Sequence, residues 1–212
     1  DPKVIKELMD VVKEIKEQFI FVIGGGRLCR KVQDAAKPYL EEALPPEEIS
    51  LARDWLGIAT TKINAGYILD RFREQLGDEV YAEIILDPTQ KVNSKARIFF
   101  TGGWKPGCST DKDMMLLAAN YKADKVIKIT DVEYVKRINP VKYSKLSFEE
   151  KGKVLAEAED IKEINWQDFK ELLGVKWQPG LNTPFDPVAV AQGYELKPTL
   201  YFGRRTELLK ML

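Results

Sequence analysis

The amino-acid sequence predicts an α/β protein, a three-layer α/β/α sandwich with a mainly parallel central sheet. Two observations carry this prediction. Short apolar runs, rich in β-branched and aromatic residues, alternate with longer segments of helical periodicity, and glycine-rich loops follow two of these runs. Such an order is typical of sheets whose strands are joined by helices on both faces. A length of 212 residues suits one domain, which we predict to span residues 1–212.

The first quarter of the chain supplies a helix, a strand and two further helices. Apolar residues at helical spacing over residues 4–15 predict an amphipathic helix that lies on the sheet. The continuous apolar run 19–23 predicts a buried strand that ends in three glycines, residues 24–26. A helix follows over residues 27–43. The next begins at Pro45-Pro46 and extends, with a break, to about Leu76.

The middle of the chain repeats the order of strand, loop and helix. We predict strands over residues 80–86 and 96–101, then a glycine loop over residues 102–107. Ser109 and Thr110 can cap a helix that runs through Asn120, and Thr110 with Asp113 fits the T-x-x-D capping pattern.

The second half is less regular. Residues 125–130 predict a strand, and residues 135–146, broken by Asn139-Pro140, predict a hairpin or an excursion between the layers. The remaining predictions are helices over 148–158 and 166–173, a loop over 178–184, a short helix from Asp186-Pro187, a strand over 199–202 and a helix over 204–212.

Composition excludes several kinds of chemistry and partner. Lys plus Arg and Asp plus Glu both number 33, so no net positive charge favours nucleic acid. The absence of histidine removes imidazole acid/base catalysis and Ser-His or Cys-His nucleophile pairs. Two cysteines, Cys29 and Cys108, predict reduced, buried thiols and a cytoplasmic setting. The longest apolar run, residues 114–119, is far below the roughly 20 residues that cross a bilayer, so we expect no membrane partner.

Both glycine loops can receive an anion. Residues 24–26 come between a strand and a helix, where backbone amides can bind a phosphate, and Arg30 could add a charge-assisted contact. A tight turn and a solvated arginine explain the same residues equally well. The second loop, residues 102–107, also follows a strand, and ligands of parallel sheets gather outside the carboxyl ends of the strands.

Four ordered segments together resemble the amino acid kinase superfamily and, within it, the uridylate kinases of bacterial and archaeal type. The segments are FIFVIGGGRLCR (19–30), DWLGIATTKINA (54–65), GGWKPGCSTD (102–111) and ADKVIKITDVEYV (123–135). The resemblance is weakest over residues 142–183. It implies transfer of the ATP γ-phosphoryl group to UMP with Mg²⁺, in a homo-oligomer, either a dimer or a hexamer.

The resemblance also implies roles for particular residues. Residues 1–120 would form the acceptor lobe, with Asp111 as the catalytic acid that organises the active-site charge. The UMP-binding residues would be Gly25, Gly26, Arg30, Asp54, Thr61, Asn64, Gly103 and Thr110. Residues 121–212 would form the ATP-binding lobe. Its ATP-binding residues would be Lys128, Thr130, Asp131, Glu133, Tyr134 and Asp186. No metal ligand is assigned.

Three departures from the family pattern leave alternatives open. Family members begin with a strand, a Lys and a Gly-Gly-Ser loop, so we expect either that this segment precedes residue 1 or that activity is lost. Glu133-Tyr134 stands where the family has Asp-Gly, and Asn139-Pro140 where it has Asp-Pro. The alternatives are a kinase with another small acceptor, such as one that forms an acyl phosphate, and a non-catalytic protein that binds nucleotides or oxyanions.

Overall fold

The computed structural model describes residues 2–130, 134–173 and 185–203. They pack as two compact units, Asp1–Met114 and Met115–Leu212, that divide within one helix. The described helices are α1 (Pro2–Glu14), α2 (Gly26–Ala43), α3 (Pro46–Leu76), α4 (Thr110–Tyr121), α5 (Pro140–Ser144), α6 (Phe148–Glu157), α7 (Trp166–Leu173) and α8 (Pro187–Leu196). The described strands are β1 (Phe19–Val22), β2 (Val80–Ile85), β3 (Ile98–Thr101), β4 (Lys125–Ile129), β5 (Val135–Lys136), β6 (Asp160–Ile161) and β7 (Thr199–Gly203), with a 3₁₀ turn at Gly77–Glu79.

The first unit is built on a three-stranded parallel sheet in the order β1-β3-β2. Its core joins α1, α3 and this sheet, because the apolar face of each helix needs a partner surface. Phe21, Phe72 and Phe100 form the aromatic centre, with ring centroids 5.0 to 5.6 Å apart. The predicted α/β class with parallel pairing is confirmed.

Arg97 fastens the end of α1 to the sheet. Its guanidinium donates to the carbonyl oxygens of Val12 and Ile15, both at 3.0 Å, and pairs with Glu79 at 2.6 Å. The last carbonyls of a helix have no partner within the helix, so an arginine that reaches them stabilises that end.

The predicted break in α3 is wrong, because the helix is continuous over 31 residues. Two residues of poor helix propensity are accommodated within α3. A Cβ on Gly57 would lie 3.2 Å from the Gln33 amide nitrogen, so this glycine lets α2 approach closely. The Thr60 hydroxyl donates to Leu56 O at 2.7 Å, so it finds its partner within the helix.

In the second unit, β4 and β7 pair in parallel, whereas β5 and β6 pair antiparallel. The excursion predicted over residues 135–146 is therefore larger than expected, since β5 finds its partner at Asp160–Ile161 and not within that segment. The aromatic rings of Phe169 in α7, Phe185 just before α8 and Phe202 in β7 pack against one another. The loop predicted over 178–184 and the helix predicted over 204–212 both lie entirely outside the described residues.

Candidate functional site

The first glycine loop leads from β1 into α2. Gly26 begins the helix with φ +57°, and no described side chain caps this end. A Cβ on Gly25 would collide with the Cβ of Cys29, so only glycine fits there. The first N–H groups of α2 therefore lie at an open helix start, which favours an anion. Arg30 is exposed one turn into the same helix.

One turn of α3 holds both glycine loops. The side-chain amide of Asn64 donates to Gly24 O at 3.0 Å and to Gly25 O at 3.1 Å. The Thr61 hydroxyl accepts from Gly103 N–H at 2.7 Å and itself donates to Ile58 O at 2.7 Å. Because Thr61 and Asn64 are three residues apart, they lie on one face of the helix. The two loops therefore have a fixed relation to each other.

Backbone donors of the second loop are used within the protein. Besides Gly103, the N–H of Trp104 donates to Asp113 Oδ2 and that of Gly107 to Asp54 Oδ2, both at 3.0 Å. Gly107 has φ +73°, a conformation that favours glycine. The loop is thus held by side chains, and these three N–H groups are not available to cradle a phosphate.

The predicted T-x-x-D cap at the start of α4 is wrong. Ser109 caps the helix, because its hydroxyl accepts from Lys112 N–H at 3.2 Å. Thr110 is the first helical residue. Asp113 is buried and reaches back to the loop instead of to a capping position.

Between α2, α3 and the second glycine loop lies a cleft of about 160 Å³. Four predicted acceptor residues line it, namely Asp54, Thr61, Gly103 and Thr110. Asn64 and Gly25 lie outside its lining but hold its edge through the contacts described above. Gly26, Arg30 and Asp111 are not among its lining residues.

Sequence reasoning missed two charged residues at this site. Lys105 lines the cleft, and its Nζ lies 3.7 Å from the centroid of the Trp104 ring. Asp113 is 1% exposed, and burial raises its pKa to about 6 although the Trp104 N–H lowers it. A signal for Asp113 was present: an acid directly before the apolar run of residues 114–119 has to be accommodated on a helix that packs against the core.

Both cysteines line the cleft as free, half-buried thiols, so the expectation that they are buried is only partly met. Burial raises the pKa of the Cys29 thiol, whereas the nearby charges of Arg30 and Arg53 lower it.

The residues predicted to border ATP lie in the second unit. Lys128, on β4, has its Nζ 5.1 Å from the Phe185 ring centroid. Asp186 is buried and caps α8, accepting from Val188 N–H at 2.7 Å. Thr130 N–H donates to Gly203 O at 3.0 Å, and Tyr134 directly precedes β5. Asp131 and Glu133 lie outside the described residues.

Neither a multi-ligand metal cluster nor a membrane span is found in the described part of the chain. Among those residues, no group of three or more Cys, Asp or Glu side chains could hold a metal ion. No helix among them is long and apolar enough to cross a bilayer.

Parallel strands followed by glycine loops, with an open helix start at one of them, define an α/β protein of the phosphate-binding class. Comparison with solved structures identifies the fold. The chain superposes on the crystal structure of uridylate kinase from Archaeoglobus fulgidus with a TM-score of 0.76 and 23% identity, covering 99% of this chain and 88% of that one. UMP kinase from Bacillus anthracis gives a TM-score of 0.67 at 16% identity, with 96% and 77% covered.

Sequence comparison gives the same relatives. A uridylate kinase of Methanococcus aeolicus is 27% identical over an alignment of 222 residues, covering 98% of this chain and 85% of the relative. One of Thermococcus sibiricus is 32% identical over 146 residues, covering 67% of this chain and 60% of the relative. No protein-family model matches. The chain therefore shares the α/β fold of these UMP kinases and is similar in sequence to uridylate kinases over most of its length.

Proposed function

We propose that the protein is a nucleoside monophosphate kinase that transfers the γ-phosphoryl group of ATP to UMP. One observation carries the proposal: a cleft lined by Asp54, Thr61 and Lys105 lies beside the turn of α3 whose Thr61 and Asn64 hold the two glycine loops. A cleft with one carboxylate, one cation and a nearby helix start suits a ligand with hydroxyl groups at one end and a phosphate at the other. The relatives described above are uridylate kinases.

On the acceptor side we assign the phosphate to the start of α2, at Gly25 and Gly26, with Arg30 as its charge-assisted partner. Asp54 uses Oδ2 to hold Gly107 N–H, which leaves its other carboxylate oxygen to accept from the nucleoside hydroxyls. Thr61, Asn64, Gly103 and Thr110 complete the proposed acceptor residues. In this assignment Thr61 and Asn64 have two roles: they hold the glycine loops in place, and they contact the ligand.

Phosphoryl transfer needs positioning and charge stabilisation, and no covalent nucleophile. A chain without histidine can supply these through carboxylates, cations and backbone amides. We assign the catalytic role to Asp111, in the first turn of α4, as the acid that organises charge around the transferred group. Asp111 could do this without forming a covalent intermediate.

For the donor we propose that ATP binds at Lys128, Thr130, Asp131, Glu133, Tyr134 and Asp186. Mg²⁺ usually keeps several waters, shares the nucleotide phosphates and needs only one or two protein carboxylates. It is therefore compatible with the described residues, among which no group of three or more metal ligands is found. When bound, it would neutralise phosphate charge.

Because Cys29 and Cys108 are both free thiols, we infer a cytoplasmic setting.

The test is release of ADP from ATP by the full chain with a panel of nucleoside monophosphates, with acetate and carbamate as acyl-phosphate-forming acceptors. We expect turnover with UMP above all others. Turnover with another acceptor alone would refute the UMP assignment in favour of a related kinase. Binding of UMP or ATP without turnover, in a protein that carries the family's N-terminal Lys and Gly-Gly-Ser segment, would favour the non-catalytic alternative.

We also propose that the protein is a homo-oligomer that associates through α3. Leu51, Trp55, Ile63 and Tyr67 are each more than half exposed, and their four-residue spacing, continued by Ala59, makes one apolar ridge. Sedimentation should show a dimer or a hexamer that Ile63→Glu converts to monomer. Tyr39→Glu is the matched control, because Tyr39 is an equally exposed aromatic residue on α2. A wild-type monomer would refute the proposal.

A further inference from the structure

Asp113 makes a contact that its position in the sequence does not require. Ser109 already caps α4, so the Asp113 carboxylate is not needed at the helix start. Its Oδ2 instead accepts from the backbone N–H of Trp104, in the middle of the second glycine loop, at 3.0 Å. The side chain is 1% exposed, and Oδ1 has no hydrogen-bond partner among the described residues. A buried, half-satisfied carboxylate is costly, so its contact with the loop calls for an explanation.

The contact acts on the segment that carries the cation of the cleft. Gly103 and Trp104 are consecutive, and their N–H groups are bound by Thr61 of α3 and Asp113 of α4 respectively. Lys105 follows at once, with its Nζ over the Trp104 ring, and lines the cleft. Fixing the backbone at Trp104 therefore fixes where the Lys105 side chain starts.

We propose that Asp113 is a positioning residue for the acceptor: by holding Trp104 N–H it fixes the glycine loop so that Lys105 faces the acceptor phosphate. This rests on the proposed function, because it takes the ligand of the cleft to be a nucleoside monophosphate. Asp113 touches no substrate in this role and acts through the loop alone. Lys105 supplies the charge, and Asp113 supplies its placement.

The electrostatics of Asp113 give the proposal a distinctive readout. Burial raises its pKa to about 6, and the charged groups that act on it are Lys112 of α4 and Lys105 of the loop. An ionised carboxylate accepts a hydrogen bond more strongly than a protonated one. The loop is then held most firmly above pH 6, and acceptor binding should weaken as Asp113 takes up a proton.

The experiment compares wild type with Asp113→Asn, which keeps an oxygen acceptor, and Asp113→Leu, which has a similar volume and no acceptor. Two quantities are measured at pH 7.5: hydrogen exchange of the Trp104 amide, and KM and kcat for UMP. For Asp113→Leu we expect exchange and KM to rise at least about tenfold while kcat changes less, and for Asp113→Asn, which keeps a neutral acceptor, we expect both to lie between the wild-type and Asp113→Leu values. Equal amide protection in the two variants, or an unchanged KM in Asp113→Leu, would overturn the proposal.

A pH series keeps the proposal testable if Asp113→Leu does not fold. The UMP phosphate titrates in the same range, so KM is compared between wild type and Asp113→Asn in identical buffers from pH 5 to pH 8. The ratio of wild-type KM to variant KM should rise below about pH 6, and a flat ratio would contradict the proposed role. Failure of wild type to bind or phosphorylate UMP would refute the proposed function instead, while the Trp104 amide exchange would still decide whether Asp113 holds the loop.

Discussion

Thr61 and Asn64, three residues apart on α3, fasten two different glycine loops to the same turn of helix. Thr61 accepts from Gly103 N–H of the second loop, and Asn64 donates to the carbonyl oxygens of Gly24 and Gly25 in the first. The relation between the two loops is therefore set by one turn of helix and not by the loops themselves.

Replacing Thr61 with valine should loosen the second loop. The change removes the acceptor of the buried Gly103 N–H and keeps the shape of the side chain, so we expect a loss of about 1–3 kcal/mol of unfolding free energy. The KM for UMP should rise with it. Thr61→Ser retains the hydroxyl and is the control; chemical denaturation of the three proteins checks the prediction. Equal stability of Thr61→Val and wild type would contradict it.

Variants of Asn64 should differ in their KM for UMP according to the side-chain group that they place beside the first glycine loop. Alanine removes a donor from two carbonyl oxygens, whereas aspartate places a negative charge against them and close to the proposed phosphate site. We therefore expect KM for UMP to increase from wild type to Asn64→Ala and further to Asn64→Asp, by at least about tenfold in total. Steady-state kinetics with saturating ATP measures this. A lower KM for aspartate than for alanine would rule out an anion at this loop.

Asp111→Asn should lower kcat by well over about tenfold, because the proposed role of this carboxylate is to organise charge in the transition state. The KM for UMP should change much less. Asp70→Asn, at an exposed carboxylate on α3, is the matched control and should leave kcat unchanged. If both variants turn over UMP at the wild-type rate, Asp111 has a structural role only.

Asp113 should give the protein an unusual dependence of stability on pH. Its pKa is about 6 in the folded protein, above the ordinary value of 3.8, so the folded state holds a proton more tightly than the unfolded state. The unfolding free energy should therefore fall as pH rises from about 4 to 6, by up to about 3 kcal/mol. Urea denaturation of wild type and Asp113→Asn at each pH isolates this contribution, because the difference between them should grow over that interval and stay constant above it.

Arg97→Ala should cost about 3 kcal/mol of unfolding free energy, since it removes the guanidinium that binds the Val12 carbonyl of α1, the Ile15 carbonyl just after it and the Glu79 carboxylate. Lysine, with one point charge, should recover only part of the loss. Arg71→Ala provides the comparison, because Arg71 makes an exposed pair with Glu74 within α3 and should cost at most about 1 kcal/mol. Similar losses for the two alanine variants would show that Arg97 does not hold α1.

Periodicity and glycine position were enough to predict most helices and strands and the two loops of the site. They did not predict that α3 is unbroken, and they could not explain the glycine at position 57, because its neighbour Gln33 is close only in the folded protein. The pairing of β5 with β6 was missed for the same reason, since two-residue strands separated by more than 20 residues carry no local signal.

The roles of the charged residues of the site could not be predicted either, because they also depend on contacts that form only in the folded protein. Of the two predicted capping residues, the structure selects Ser109 and not Thr110, and Asp113, which fits the capping pattern, contacts the loop instead. Nothing in the sequence distinguishes Lys105 from the other lysines, because its place in the cleft depends on the position of its loop beside α3. Sequence patterns report contacts within an element, whereas both of these roles depend on contacts between elements.

The second glycine loop is held by the protein's own side chains, because Thr61, Asp113 and Asp54 each accept from one of its backbone N–H groups. A loop ordered in this way loses little conformational entropy on binding, so the entropic cost of forming the complex falls mainly on the ligand. Selectivity at this wall of the cleft then rests on shape and on side-chain charge: a ligand that does not match the fixed loop is rejected, because the loop cannot rearrange cheaply to fit it.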